Sequence, residues 1–320
     1  MTPSIEKEAV KADKGPSYPL YLPHFDTSEK FPPIETFEFN DPGLRADPKL
    51  PHLLAEGVKR RDLSPYIGTE LRNIQFSQLS MEGLDEVSLF VAQRKLVVLR
   101  DQDFKDISPE RQVEIARHFG PINIHPTSGN VKGFPEFHIV YRDPEYDRFR
   151  DRGLTDGTRA NLLGWHADGS YEKQPPGMTL FWILEQPDLG GDTLFSSQVE
   201  AYNRLSPQFQ KRLEGLRAVH SAVPPAERSR ERGKPVRREP VETRFHPIVR
   251  QHPVTGEKAL FVNPGFTKYI VGFRIEESEL LLNFLYDHIA KGADSSEEKA
   301  SIPVFFDFFV FSLPAFLIAC

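Results

Sequence analysis

A β-rich α+β fold of the sandwich or jelly-roll type is predicted for this chain from three observations. From Phe137 onward, short strand-like runs recur and are broken by Gly, Pro, Asn and Asp. The chain holds 28 prolines and 25 phenylalanines, which favours many turns around an aromatic core over a helical bundle. No Gly-rich phosphate loop is present, and the order of elements does not suit a doubly wound sheet. No internal repeat is visible.

The elements follow in order. Residues 1–60 are rich in proline and charge and show little periodicity, so they are expected to form an arm lying on the core, disordered at its start. Ordered structure is expected to begin near "YIGTELRNIQFSQLS" (66–80). "SMEGLDEVSLFVAQRK" (80–95) reads as a helix capped by Ser80, with Leu84, Val87, Phe90 and Val91 on one face. "LVVLRDQ" (96–102) reads as a buried strand. "SPERQVEIARHFG" (108–120) has Ser108 at the cap, Pro109 at the first helical position and Gly120 past the end. Strands are expected in "FHIVYRD" (137–143), "MTLFWILEQ" (178–186), "DTLFSS" (192–197), "FHPIVRQ" (245–251) and "KALFVN" (258–263). Helices are expected in "SPQFQKRLEGLRAV" (206–219) and "EESELLLNFLYDHIAKG" (276–292). Two charged stretches, 142–164 and 227–244, read as a solvated loop and a surface excursion.

Bulk properties narrow the function. With 320 residues and 39% hydrophobic content the chain can bury a sizeable core. A formal net charge of -6 argues against a general nucleic-acid binder, and an anionic substrate would need a locally positive pocket. The single cysteine, Cys320, excludes an intrachain disulfide. The polar start lacks a signal-peptide core, so a cytoplasmic protein is expected. Nothing in the composition excludes a homo-oligomer.

The chemistry is carried by "NLLGWHADGSY" (161–171). An imidazole and a carboxylate two residues apart on a strand point to one side, so His166 and Asp168 can hold two adjacent positions of a metal. A third ligand, usually His, would complete a facial triad around Fe(II). The spacing alone is unspecific. With ten His and 46 acidic residues, a chance match is about an even bet, and a polar pair in a Gly-rich loop is the ordinary alternative.

Its setting is more specific. "WHADGSY", the Pro-Pro-Gly at 175–177 and "GGDTLF" (190–195) resemble the taurine dioxygenase (TauD/TfdA) family. So do "VVLRDQDF" (97–104), "HFGPINIHP" (118–126) and "RFHPIVRQHPVTGEKALFVNPGFT" (244–267), and the resemblance runs in order through residues 65–290. Within that family it resembles the fungal sulfonate dioxygenase-like branch. It implies a double-stranded β-helix, a jelly roll with flanking helices, over 61–300. It further implies Fe(II) as cofactor, 2-oxoglutarate and O2 as cosubstrates, and a small anionic substrate such as taurine or another sulfonate. His166 and Asp168 match the first two iron ligands. Thr193 matches the residue that helps bind the far carboxylate of 2-oxoglutarate. His125 matches a substrate-contacting histidine; the ordinary alternative is a surface histidine before proline. Where taurine-specific members carry a tyrosine, this chain has Ser128, which leaves the substrate open. By resemblance, 142–164 could also be a lid over the iron.

The family's third iron ligand and the arginine that pairs with 2-oxoglutarate should follow the last helix. No His follows His288 and no Arg follows Arg274. His220, expected at a strand edge, and His246, His252 and His288 all match non-ligand positions and are expected to be structural. Residues 301–320 form an apolar stretch interrupted by Asp307, Pro303 and Pro314. This tail is expected to be aberrant, from a truncated or misassembled reading frame such as retained intron sequence, leaving the jelly roll incomplete at its C-terminus, with sheet edges open unless the tail pairs with them. A tail anchor is the rival, disfavoured because a charge at the bilayer centre costs about 2.5–3.5 kcal/mol. Two function classes are therefore carried forward: a dioxygenase, impaired if the distal His and Arg are lacking, and a non-catalytic jelly-roll binding module.

Overall fold

The protein is described here by a computed structural model that covers residues 16–141, 165–185, 193–240 and 244–291, and the backbone of 299–302, 308–312 and 316–319. The charged stretch 142–164 and residues 186–192 lie outside the described residues.

The N-terminal half builds one sheet and two helices. Strands β1 (Lys59–Asp62) and β2 (Thr69–Arg72) form an antiparallel hairpin, and β2 pairs in parallel with β3 (Leu96–Leu99). Between them runs α1 (Met81–Arg94), whose Ser80 side chain accepts a hydrogen bond from the Gly83 N–H at 3.2 Å. Leu84, Val87, Phe90 and Val91 bury together, as their spacing predicts. All four residues of β3 are buried, which explains the unbroken apolar run. In α2 (Pro109–Arg117), Ser108 accepts from the Arg111 N–H.

Ordered packing begins earlier than residue 66. Leu50 and Leu53 are buried in the α1 cluster, and the Glu86 carboxylate accepts from the N–H groups of His52 and Leu53 at 2.9 and 2.7 Å. Low periodicity hid this, because an irregular arm can bury single leucines without a repeating pattern. Further upstream the arm is stitched to the core: His24 bridges Asn130, and the Phe31 N–H donates to the Arg237 carbonyl at 2.7 Å.

The remaining strands are short. β4 (Gly129–Val131) and β5 (Phe134–Ile139) form a hairpin. β6 (Met178–Trp182) and β7 (Thr193–Ser197) follow, then α3 (Gln198–Asn203) and α4 (Pro207–Leu213). The helix expected over 206–219 is shorter than predicted. It ends at Leu213, Gly215 takes a left-handed φ of 82°, and Arg217–His220 becomes β8. After α5 (Val223–Glu231) come β9 (Arg244–Pro247), β10 (Val249–Gln251), β11 (Lys258–Leu260), β12 (Thr267–Ile270) and α6 (Ile275–Lys291). β8 is the middle strand of a β12-β8-β9 sheet, so His220 does not lie on a strand edge.

The apolar C-terminal stretch is not left unpaired. Lys299–Ile302 (β13) and Phe316–Ala319 (β15) flank β7, and Phe308–Ser312 (β14) runs antiparallel between β3 and β6. β13 straddles the boundary expected at residue 300, and the edges of β3, β6 and β7 that would otherwise be bare are covered. Asp307, Pro303 and Pro314 lie outside the described residues. Among the described residues no helix is long and apolar enough to cross a membrane. The result is a mixed α/β protein of several small sheets with helices packed outside them.

Candidate active site

The segment 165–171 turns on strand alternation. Trp165 and Ala167 are buried in the main apolar cluster with Leu260, Val262, Leu285 and Ile289. The intervening side chains emerge on the opposite side: His166 and Asp168 retain 32% and 38% exposure, and His166 Nε2 lies 3.5 Å from Asp168 Oδ1. Two donors each about 2.1 Å from a metal and at right angles would be roughly 3 Å apart, so a small adjustment would let both reach one ion. The chain then turns sharply. Gly169 has φ 63°, and a Cβ there would lie 2.7 Å from Pro176 Cδ, so only glycine fits beside the Pro-Pro-Gly segment. Ser170 is fully buried, its hydroxyl accepting from Asn263 Nδ2 at 3.1 Å and lying 3.2 Å from His220 Nδ1. That bond network anchors the segment from beneath.

Asp168 opens onto a cavity of about 1710 Å³ whose wall also includes Thr193, His125 and Arg238. This exceeds the ~300–1,000 Å³ of a single small-ligand pocket, leaving room for two small molecules. Thr193 is the buried first residue of β7. His125 Nδ1 accepts the N–H groups of Thr127 and Ser128 at 3.2 and 3.0 Å, which places the ring proton of the neutral imidazole on Nε2. Burial holds this histidine well below its usual range, and His138, Arg237 and Arg238 push the same way. The structure thus brings Asp168, Thr193 and His125 to one cavity wall and sets His166 beside Asp168. Among the described residues, no group of three His, Cys, Asp or Glu side chains gathers to hold a metal.

Three residues at or behind this wall were not singled out from sequence: Arg238 and His138 line the cavity, and Arg237 lies behind His125. The first two, Arg237 and Arg238, belong to the stretch read as a surface excursion; both are buried, at 1% and 6% exposure. Arg237 donates to the His125 carbonyl at 2.9 Å and to Glu29 at 3.2 Å, while Arg238 donates to Glu172 at 2.7 Å and to Asn123 at 3.3 Å. The surface reading fails because their partners come from the arm and from 123–172, which the local charge pattern does not reveal. The third is His138 on β5, whose ring centroid lies 4.2 Å from that of His125, tilted by 32°. It is an exposed residue of β5 that lines the cavity, where desolvation by the surrounding wall lowers its basicity, with the Asp168 carboxylate opposing and His166 and Arg237 reinforcing that effect. The only sequence signal was a polar residue inside the apolar run "FHIVY".

The other histidines weighed as substitute ligands have different bonds. His220 lies 3.2 Å from the Ser170 hydroxyl and stacks on Phe261, and burial pushes its pKa down to about 3. His246 Nε2 pairs with the Glu172 carbonyl at 2.8 Å and His288 Nε2 with the Ala201 carbonyl at 2.7 Å. His252 Nδ1 accepts from the Val254 N–H at 3.1 Å.

This architecture has close counterparts. A taurine dioxygenase from Burkholderia xenovorans superposes with a TM-score of 0.63 at 27% identity, covering 82% of this chain and 83% of that one. The chain belongs to the taurine catabolism dioxygenase TauD, TfdA family, whose model matches residues 59–295. It is 47% identical over 291 residues to the alpha-ketoglutarate-dependent dioxygenase cnsM of Penicillium expansum, covering 90% of this chain and 80% of that protein. It is 44% identical over 281 residues to the alpha-ketoglutarate-dependent sulfonate dioxygenase of Saccharomyces cerevisiae, covering 87% and 67% respectively. By family the protein is a 2-oxoglutarate-dependent dioxygenase.

Proposed function

We propose that this chain hydroxylates a small anionic organic compound of the sulfonate class in a reaction dependent on Fe(II), 2-oxoglutarate and O2. The observation that carries the reading is the pairing of His166 Nε2 and Asp168 Oδ1, 3.5 Å apart, beside the cavity that also receives Thr193 and His125. An imidazole and a carboxylate are the donor types of a two-histidine, one-carboxylate ferrous site, and the two present here would supply two of its three protein positions. Iron at this position would activate oxygen beside the bound keto acid. The chain's own residues do the rest. Thr193 offers a hydroxyl to the far carboxylate of 2-oxoglutarate. His125, fixed as an Nε2–H donor, offers a hydrogen bond to the substrate's anionic group. Arg237 and Arg238 supply the local positive charge that a chain of net charge -6 needs to attract an anion.

A second reading, a scaffold that binds ligand without turnover, is favoured by the lack of a third gathered metal donor among the described residues. Anaerobic Fe(II) titration with and without 2-oxoglutarate, followed by succinate formation in air, separates the two. Stoichiometric iron uptake lost by more than about 100-fold in Asp168→Ala, with succinate released only by the unaltered chain, is the expected result. Iron binding indifferent to both His166→Ala and Asp168→Ala would sink the dioxygenase reading.

A further inference from the structure

We propose that His138 is a second substrate-binding imidazole, pairing with His125 as two N–H donors to one anionic head group; this rests on the dioxygenase reading above and deepens it.

Four observations meet at this residue. The two rings are stacked closely enough, at 4.2 Å between centroids, for their donors to reach neighbouring oxygens of a single anion. Both rings line the cavity that Asp168 lines, so a ligand held by them lies beside the proposed iron ligands. Neither His125 Nε2 nor either ring nitrogen of His138 has a hydrogen-bond partner among the described residues, whereas His220, His246, His252 and His288 all do. His125 is half-buried and His138 exposed to the cavity, so their open ring nitrogens can donate to a ligand that enters it. The local field has the right sign as well: Arg237 acts on both rings and Arg238 on His125. A sulfonate has three acceptor oxygens, more than the one N–H of His125 can serve. With Ser128 in place of a larger hydrogen-bonding side chain, the second donor has to come from elsewhere on this wall, and β5 supplies it.

Stacking alone would also place a ring at 138, so the test separates the donor from the stack. His138→Phe keeps an aromatic face against His125 and loses the N–H; His138→Gln keeps an N–H and loses the ring. Calorimetric titration of the full chain with ethanesulfonate should show binding about tenfold weaker or worse in His138→Phe, recovered to within about threefold in His138→Gln. Affinity for 2-oxoglutarate should be unchanged in both. Ring signals of His125 and His138 in the unaltered chain, followed by NMR, should shift together when ethanesulfonate is added. Phe equal to the unaltered chain, Gln as weak as Phe, or unmoved His138 signals would overturn the proposal. A chain that binds 2-oxoglutarate but no ethanesulfonate overturns it alone. A chain that binds neither ligand nor Fe(II) overturns the dioxygenase reading with it.

Discussion

Two groups of histidines occupy one molecule and behave in opposite ways. On the cavity wall, His125 and His138 stack against each other beside Asp168, with His125 Nε2 and both His138 nitrogens without a partner among the described residues and with buried arginines behind them. On the far side of the 165–171 segment, His220 and His246 pack on Phe261, their nitrogens committed to Ser170 and to the Glu172 carbonyl. The first group is held by charge and leaves donors available. The second is held by packing and leaves none. The same residue type serves binding in one place and structure in the other, and the difference lies in whether the fold has already supplied a partner.

The comparison can be broken at its charged side first. Arg238 and Glu172 form an ion pair with side chains only 6% and 13% exposed. Arg238→Ala should lower stability by about 3–5 kcal/mol, because it strands a buried carboxylate. Adding Glu172→Gln should recover much of that loss. Urea unfolding of the three proteins measures both, and an Arg238→Ala cost under about 1 kcal/mol would mean the wall is not held by charge.

The packed side is sharpened by pH. His220 has its pKa pushed from 6.5 down to about 3, so the folded state resists the proton that the unfolded chain accepts. Its contribution is fully present above pH 6.5 and is lost as pH falls toward about 3, at about 1.4 kcal/mol per unit. Between pH 7 and pH 5 the unaltered chain should therefore lose roughly 2 kcal/mol more stability than His220→Gln. Parallel slopes for the two proteins would remove His220 from the buried cluster.

The smallest effect is expected at the periphery. His288 pairs with the Ala201 carbonyl at 2.7 Å and stacks on Phe284 within α6. His288→Ala should cost about 1 kcal/mol and leave Fe(II) uptake unchanged, the reverse of Asp168→Ala. A thermal melt and a metal titration on the same sample distinguish the two variants.

Much of this was legible in the chain itself. Serine caps at 80, 108 and 206, the apolar face of α1, the buried run of β3 and the alternation of Trp165, His166, Ala167 and Asp168 all depend on residues within four positions of one another. Family likeness was equally readable, because motifs in order do not need a fold to be recognised. What escaped was set at a distance. The inward turn of Arg237 and Arg238 requires Glu29, Asn123 and Glu172, and the bond that makes His246 structural spans 74 residues of chain. The pairing of β14 between β3 and β6 likewise joins strands that no local pattern connects.

The sequence by itself therefore determined the local elements, the two-residue spacing that puts an imidazole and a carboxylate on one side of an extended segment, and the family. Only the tertiary structure decided which histidines keep an open nitrogen, which arginines turn inward, and where the apolar C-terminal strands pair. The physical reason is that backbone geometry acts over a few residues, whereas desolvation and hydrogen-bond satisfaction depend on every segment that packs nearby.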